Sequence, residues 1–185
     1  MKGWTGNASI INCNRRLADA EKNDYYATDP KAVEMLLEQE SFDKNIWEPA
    51  CGEGHISKVL EEHGYNVIST DLIDRGYGTG EVNFLKKNEK FNGDIITNPP
   101  YKYAKEFVEK ALELVETGQK VAMFLKLSFL ASKGRRTLFN EHPPQIVYVS
   151  SGRLECGKNG EFVGAGAVNY AWFVWQKGYP RPCSY

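Results

Sequence analysis

The stretch that decides the fold is "NIWEPACGEGHISKVLEEHGYNVISTD", residues 45–71. Its hydrophobic pattern predicts a strand (45–48), a glycine-bearing turn, a helix (55–63) that stops at Gly64, and a second strand (66–70). Strand, helix and strand in this order form a βαβ unit, whose two strands lie parallel in one sheet. We therefore predict an α/β fold built around a parallel sheet.

The remaining patterns extend this sheet. Further strands are predicted around 82–84, at 94–97, in the apolar run 120–130, and in the late segments 145–151 and 168–176. Helices are predicted in "PKAVEMLLEQE", capped by Asp29 or Thr28, in "AKEFVEKALELVETGQ", and in the short "GRRTLFN". The two late strands are expected to pair antiparallel at the sheet edge. The expected fold is a doubly wound α/β domain closed by this hairpin.

Composition restricts the class of protein. The chain has 185 residues and a net charge of −1, which indicates one domain and no global positive field for nucleic acid. Four scattered cysteines form no CxxC pair, so we predict neither a zinc site nor a disulfide framework. Residues 1–24 are polar, without the long apolar run of a signal peptide or anchor, so we expect a loose arm and a soluble, cytoplasmic protein.

Three loops are expected to meet at the carboxyl edge of the sheet, where ligands of such folds bind. They are residues 48–54, the segment from Asp71 onward, and residues 98–101. Gly52 and Gly54 allow a sharp turn and a close approach of a ligand. Asp71 follows Gly52 by 19 residues, where an acid would accept hydrogen bonds from ribose hydroxyls. A purely structural turn and a helix-capping role for Asp71 are the alternatives.

The glycine turn favours one kind of nucleoside cofactor. Its pattern is GxGxxS, ending at Ser57, and it lacks the third glycine of the dinucleotide fingerprint. The negative side chains of Glu48 and Glu53 would repel a pyrophosphate but would attract a cationic ligand. S-adenosylmethionine carries a sulfonium and an ammonium, so we predict it rather than a nicotinamide cofactor.

"DIITNPPY", residues 94–101, predicts the chemistry. An exocyclic amino group on a base is a poor nucleophile because its lone pair is delocalised into the ring. The Asn98 side chain and the Pro99 carbonyl can accept its two hydrogens, and Pro100 helps to hold that carbonyl rigid. Tyr101 offers a ring on which a flipped or single-stranded base can stack. The alternative is a proline pair that only ends a strand, beside a surface tyrosine.

"EPACGEGHIS" and "DIITNPPY" resemble the cofactor and catalytic motifs of the amino-group S-adenosylmethionine-dependent DNA methyltransferases, particularly the small phage-type N6-adenine enzymes. The resemblance runs from "YYATDPKAVEMLL" to "VNYAWFVWQKGY", about 150 residues. It implies a seven-stranded Rossmann-like sheet and methylation of adenine N6 in DNA, as in restriction–modification. Asn98, Pro99, Pro100 and Tyr101 would be catalytic. The implied cofactor-binding residues are Thr28, Pro30, Glu48, Pro49, Ala50, Cys51, Gly52, Gly54, Asp71, Leu72, Asn83 and Phe84.

The chain departs from this family in two respects. Asn83 stands where the family commonly has an acid that binds the adenine amino group of the cofactor. Larger relatives also carry a target-recognition domain, whereas residues 25–185 are expected to form only the catalytic domain. Recognition would then fall to loops, to the N-terminal arm, to a partner subunit or to a homodimer.

Candidate contacts to a nucleic acid are basic residues in loops: Lys102, Lys133, Arg135 and Arg136, with Arg15 and Arg16 in the arm. A solvated basic loop is the alternative. Residues 152–167 form a glycine-rich segment that is either a lid over the target base or a plain connector. His55 and His63 are expected to be packing or surface residues. For Tyr25 and Tyr26, core packing and cofactor contact both stay open.

The same chemistry suits other methyl acceptors. Cytosine N4, an RNA base and a protein glutamine all present a planar nitrogen to such a site. A cofactor-binding subunit that depends on a partner is a further hypothesis.

Overall fold

A computed structural model describes residues 26–150, 156–158 and 168–179 of the chain. The predicted arm over residues 1–24, with Arg15 and Arg16, lies outside the described residues, as do Tyr25 and most of the segment 152–167. No helix in the described ranges is long and apolar enough to cross a membrane. Nor do these ranges contain a group of three His, Cys, Asp or Glu side chains that could hold a metal ion.

The described residues form strands and helices in the following order. The strands are β1 (Tyr26–Thr28), β2 (Asn45–Glu48), β3 (Asn66–Ser69), β4 (Asp94–Thr97), β5 (Lys120–Lys126), β6 (Ile146–Val149), β7 (Cys156–Lys158) and β8 (Tyr170–Gln176). The α-helices are α1 (Pro30–Gln39), α2 (His55–Glu62), α3 (Ala104–Leu114) and α4 (Arg136–Glu141). Four 3-10 turns lie at Phe84–Lys86, Tyr101–Tyr103, Leu127–Leu130 and Lys133–Arg135.

Six strands form the main sheet in the order β3-β2-β4-β5-β8-β6. Strands β2, β3, β4 and β5 are parallel, and β8 is antiparallel to both β5 and β6. The chain moves from β2 outward to β3 and then crosses to β4 on the other side of β2. This reversal makes the carboxyl ends of β2 and β4 the switch point at which α/β sheets bind ligands.

The predicted βαβ unit and the antiparallel pairing of the two late strands are confirmed. The C-terminal strand β8, however, lies inside the sheet, and β6 forms the edge. The prediction of a strand around 82–84 was wrong: residues 82 and 83 form a loop, and Phe84 begins a 3-10 turn. The Asn83 side chain accepts a hydrogen bond from the Leu85 amide at 3.1 Å, and such local bonding competes with strand pairing. The described main sheet therefore has six strands, and the implied seventh is not confirmed.

The three-residue strand β1 is an element that the sequence pattern did not predict. It pairs antiparallel with β7 in a two-stranded sheet of its own, with Thr28 opposite Cys156. Asp29 then caps α1 by accepting a hydrogen bond from the Lys31 amide at 3.0 Å, as predicted. Thr28 does not cap the helix and belongs to β1.

Apolar side chains cover both faces of the sheet. On one face, α3 packs over Val121, Met123 and Phe173; on the other, α1 and α2 pack over Phe124 and Trp172. Strands β5 and β8 alternate between these two clusters, which explains why their sequences are continuously apolar.

Asp94 ties the amino ends of two strands together, far from the switch point. Its carboxylate accepts hydrogen bonds from the amides of Asp43 and Lys120, each at 2.6 Å. The side chain is 3% exposed, and burial raises its pKa, while the two amide hydrogen bonds act in the opposite direction. The residue that begins the strand of the "NPPY" motif thus supports the register of β4 and β5.

Asp94→Ala is expected to lower the free energy of unfolding by about 2–4 kcal/mol, because two partly buried backbone amides lose their shared acceptor. Asp94→Asn keeps one acceptor oxygen and should lose less. Urea unfolding of both variants and of the unchanged chain measures the difference. Equal midpoints for the alanine variant and the unchanged chain would contradict this role.

Candidate functional site

A cavity of about 470 Å³ opens at the carboxyl ends of β2, β3 and β4. Loops that follow all three strands contribute to its wall, as expected for a parallel sheet. Many of the residues predicted from the sequence line this one cavity: Thr28, Glu48, Pro49, Ala50, Cys51, Asp71, Leu72, Asn83, Phe84, Asn98, Pro100 and Lys102.

Other predicted residues lie outside this lining: Pro30, Gly52, Gly54, Pro99, Tyr101, Lys133, Arg135 and Arg136. Pro30 is exposed in the first turn of α1, where its fixed φ suits the start of a helix. Gly52, Gly54 and Pro99 are buried.

Asp71 joins the loop after β3 to the glycine turn after β2. One carboxylate oxygen accepts from the Gly52 amide at 2.8 Å, and the other accepts from the Ile73 amide at 2.9 Å. Gly52 has a φ of 56°, so glycine suits this turn. No helix begins within the twelve residues that follow Asp71, which removes the helix-cap alternative. Its carboxylate borders the cavity with capacity for further hydrogen bonds.

Gly54 is required by packing. Its φ is 82°, and a Cβ built there would lie 2.5 Å from the Tyr77 ring. The loop after β3 folds back over the turn, and the Tyr77 hydroxyl donates to Glu61 at 3.1 Å. Gly54 thus has a structural role in the turn, which was one of the two predicted alternatives. The Gly52 amide, in contrast, donates a hydrogen bond to Asp71.

Glu48 is held in an environment that favours its neutral form. It is 1% exposed and accepts a hydrogen bond from the Ser57 hydroxyl. Burial raises the pKa of Glu48 well above its usual value, and Asp71 adds repulsion, although the Ser57 hydrogen bonds act in the opposite direction. Glu53 is exposed and does not line the cavity. The expectation that both glutamates present negative charge to a ligand is therefore not supported.

Cys51 contributes a buried thiol to the cavity wall. Its Sγ donates weakly to the Tyr77 carbonyl at 3.6 Å. Burial, with Glu48 and Asp71 nearby, raises the pKa of Cys51 to about 12, so the thiol stays protonated. It packs against its neighbours and is not a nucleophile.

The Asn98 amide is oriented by β1. Its Nδ2 donates to the Tyr26 carbonyl and to Thr28 Oγ1, each at 3.0 Å. These two bonds use both amide hydrogens and fix the rotation of the amide, so the acceptor atom Oδ1, which is buried, has one defined position. The Pro100 carbonyl accepts from the Tyr103 amide at 2.9 Å, whereas no donor reaches the Pro99 carbonyl from the described residues.

Tyr101 does not present a bare ring to the cavity. Its ring stacks on Tyr26, with centroids 5.4 Å apart and planes at 29°, and lies 5.9 Å from Tyr170. The Lys126 ammonium sits 4.4 Å from the Tyr101 centroid. A base could stack on Tyr101 only after these neighbours move, which the sequence-based expectation had not included.

The predicted basic contacts divide into two groups. Lys102, Lys133 and Arg136 are exposed, and Lys102 lines the cavity. Arg135 instead donates to the carbonyls of Phe129 and Ser128, at 2.6 and 3.1 Å. Burial lowers the pKa of Arg135. The guanidinium braces the loop after β5, so its predicted role as a phosphate contact is not supported.

Sequence reasoning missed or left open several residues of the lining. They are Tyr26, Ala27, His55, Ile56, Ile73, Arg75, Val82, Leu85, Tyr103 and Phe107. Most directly follow or precede predicted site residues, so the spacing of the motifs could have pointed to them. Burial lowers the pKa of His55, which lines the cavity, although Glu53 acts in the opposite direction.

No family model and no curated protein matches this sequence. Solved structures match its fold. One is a protein assigned as a class I S-adenosylmethionine-dependent methyltransferase from Listeria monocytogenes, with a TM-score of 0.60 and 13% identity over 95% of this chain and 69% of that one. The chain has a methyltransferase fold.

Two further structures agree with this fold. A protein assigned as the modification subunit of a type I restriction enzyme from Vibrio vulnificus has a TM-score of 0.60 at 13% identity, over 93% of this chain and 48% of that one. An S-adenosylmethionine-dependent O-methyltransferase from Thermotoga maritima has a TM-score of 0.55 at 14% identity, over 83% of this chain and 66% of that one. The chain thus spans between about half and about two thirds of their length.

The raised pKa of Glu48 predicts a pH-dependent stability. The folded state binds the Glu48 proton more tightly than the unfolded state, so this contribution is present below the ordinary pKa of 4.5 and is lost as pH rises toward the raised value. Glu48→Gln cannot ionise and can still accept from Ser57. We expect its unfolding free energy, relative to the unchanged chain, to increase between pH 4.5 and pH 8. A difference in urea midpoint that stays constant over this range would contradict the assignment.

Proposed function

We propose that this protein transfers a methyl group from S-adenosylmethionine to the exocyclic N6 amino group of adenine in DNA. One observation carries the proposal: a single cavity is lined by Asp71, after β3, and by Asn98 and Pro100, after β4. A ligand held at Asp71 and a planar amine held at Asn98 would therefore be neighbours. The methyltransferase fold also supports the proposal of a methyl transfer.

The residues of the cavity fit S-adenosylmethionine. Its volume of about 470 Å³ lies within the usual range for cofactor sites. Asp71 would accept hydrogen bonds from the ribose hydroxyls, and Leu72, which is 56% exposed, and Phe84 supply apolar wall for the adenine. Asn83 keeps donor capacity, because its oxygen already accepts from Leu85. When bound, the cofactor supplies an electrophilic methyl group on a sulfonium.

Asn98 and Pro99 would activate the methyl-accepting nitrogen. Two carbonyl oxygens that accept both N–H hydrogens draw the nitrogen toward a tetrahedral geometry with a usable lone pair. The Asn98 amide is already oriented by β1, so the direction of its oxygen is fixed before the reaction. The nitrogen would form the new bond to the methyl carbon as the sulfonium–carbon bond breaks, which leaves a neutral thioether. It would lose one proton to solvent afterwards, so no strong base is required.

Adenine in DNA is the substrate that the sequence motifs support best. "DIITNPPY" is the pattern that resembles the N6-adenine enzymes, and exposed Lys102, Lys133 and Arg136 are suited to phosphate contacts. A target base would have to leave the duplex to reach this cavity. Sequence recognition by a partner subunit or by a second copy of the chain is consistent with the similarity to a modification subunit.

The decisive experiment is a methyl-transfer assay with radiolabelled S-adenosylmethionine on duplex DNA, single-stranded DNA, RNA and protein. Incorporation into DNA, with N6-methyladenine found by mass spectrometry of its nucleosides, would support the proposal. Incorporation into protein alone would favour a glutamine acceptor, and N4-methylcytosine would change the target base. Cofactor binding without transfer to any of them would favour a subunit that depends on a partner.

Asn98→Ala is expected to reduce the rate of transfer about 100-fold or more, because one of two preorganised carbonyl acceptors is lost. Affinity for S-adenosylmethionine, measured by calorimetry, should stay close to that of the unchanged chain. Asn92→Ala is a matched control, because Asn92 is exposed and, among the described residues, its side-chain oxygen accepts from Gln119. Retained activity in Asn98→Ala would remove Asn98 from the catalytic site.

Asp71→Asn is expected to weaken cofactor binding about 10- to 100-fold, because a charged acceptor for the ribose is lost. The rate at saturating cofactor should change far less. Asp74→Asn, an exposed residue of the same loop, serves as the control. If Asp71→Asn lowered only the rate and Asn98→Ala lowered only the affinity, the two halves of the cavity would be assigned the wrong way round.

A further inference from the structure

Strand β1 contacts the proposed catalytic amide directly. Asn98 Nδ2 donates one hydrogen to the Tyr26 carbonyl and the other to Thr28 Oγ1, both at 3.0 Å. A backbone carbonyl can only accept, so an amide turned by 180° would place its oxygen against the Tyr26 oxygen. The Tyr26 carbonyl thus excludes the turned orientation, and the Thr28 hydroxyl holds the second hydrogen.

We infer that Thr28 is a positioning residue for Asn98, so that β1 belongs to the methyl-accepting half of the site. The inference rests on the proposed function, in which Asn98 Oδ1 accepts a hydrogen from the target amine. The two bonds that Nδ2 donates to β1 fix the rotation of the amide and with it the position of Oδ1. The resemblance in sequence had placed Thr28 in the cofactor half instead.

The acceptors on β1 are themselves held in place. Ala27 and Thr28 are each 2% exposed, and β1 pairs with β7 along its three residues. The Tyr26 ring stacks on Tyr101, the last residue of the "NPPY" motif. Asp29 caps α1 directly after the strand, and Trp172 donates to the Ala32 carbonyl at 2.6 Å. Thr28 therefore presents its hydroxyl from a fixed backbone.

The β1–β7 pairing also links Asn98 to a distant part of the sequence. Strand β7 comes from the segment between β6 and β8, and Thr28 lies opposite Cys156 in the register. Any movement of β7 that displaced β1 would move both acceptors of the Asn98 amide. The orientation of the amide is thereby coupled to the backbone of residues 156–158.

The two roles for Thr28 predict different kinetics. A cofactor contact would show itself as weaker binding of S-adenosylmethionine with the rate at saturation preserved. A positioning role would lower kcat while the cofactor Kd stayed the same, because the amide would lose its fixed orientation while the cavity wall around Asp71 would not change.

The test compares Thr28→Val, which removes the hydroxyl at constant shape, with Thr28→Ser, which keeps it. Thr97→Val is the matched control: Thr97 lies in β4 beside Asn98, is fully buried, and its hydroxyl has no hydrogen-bond partner among the described residues. We expect Thr28→Val to lose about 10- to 100-fold in kcat with the cofactor Kd changed by less than about twofold. Thr28→Ser and Thr97→Val should stay near the unchanged chain.

A second measurement does not require activity. The side-chain ¹⁵N–¹H signals of Asn98, identified by their loss in Asn98→Ala, should shift and exchange faster with water in Thr28→Val but not in Thr28→Ser. If the unchanged chain methylates nothing, the proposed function fails, and these signals still decide whether Thr28 orients Asn98. Should Thr28→Val not fold, Thr28→Ala takes its place with the same measurements.

Three results would overturn the inference. The first is a weaker cofactor Kd in Thr28→Val with kcat preserved, which would assign Thr28 to the cofactor. The second is an equal loss of kcat in Thr97→Val, which would show a general packing effect. The third is a set of Asn98 signals that Thr28→Val leaves unchanged.

Discussion

The hydrogen bond from the Gly52 amide to the Asp71 carboxylate sets the shape of the site. It joins the loops that follow β2 and β3, and the Cys51 amide adds a bond to the Thr70 carbonyl at 3.0 Å. Since Gly52 takes a positive φ, the turn can bring its amide to the carboxylate without strain. The cavity exists because these two loops are tied together at the switch point of the sheet.

The opposite side of the cavity depends on a different kind of support. Asn98 follows β4 immediately, but its orientation comes from a short strand outside the main sheet. The main sheet therefore places the amide and β1 orients it. The main sheet belongs to the general fold, which many methyltransferases share. The proposed amine chemistry depends in addition on the local contact between β1 and Asn98.

The sequence predicted much of this arrangement. The βαβ unit, the positions of Asp71 and Asn98 and the helix cap at Asp29 follow from local patterns, because each depends on neighbouring residues. Strand β1 could not be predicted in this way, since its three residues pair with β7, about 130 residues later. The crowded surroundings of Tyr101 also arise from distant residues, Tyr26, Lys126 and Tyr170. Asn83 was assigned to a strand because an apolar pattern does not reveal a side chain that bonds its own backbone.

The place of β8 between β5 and β6 has a consequence for biosynthesis. While the ribosome is still adding residues before Tyr170, β5 has no neighbour on one side and β6 has none at all in this sheet. Both are apolar strands with open hydrogen-bonding edges, the kind of surface that associates between nascent chains. The sheet closes only once residues 170–176 have emerged, so the aggregation risk during translation is concentrated in the interval before the last strand arrives.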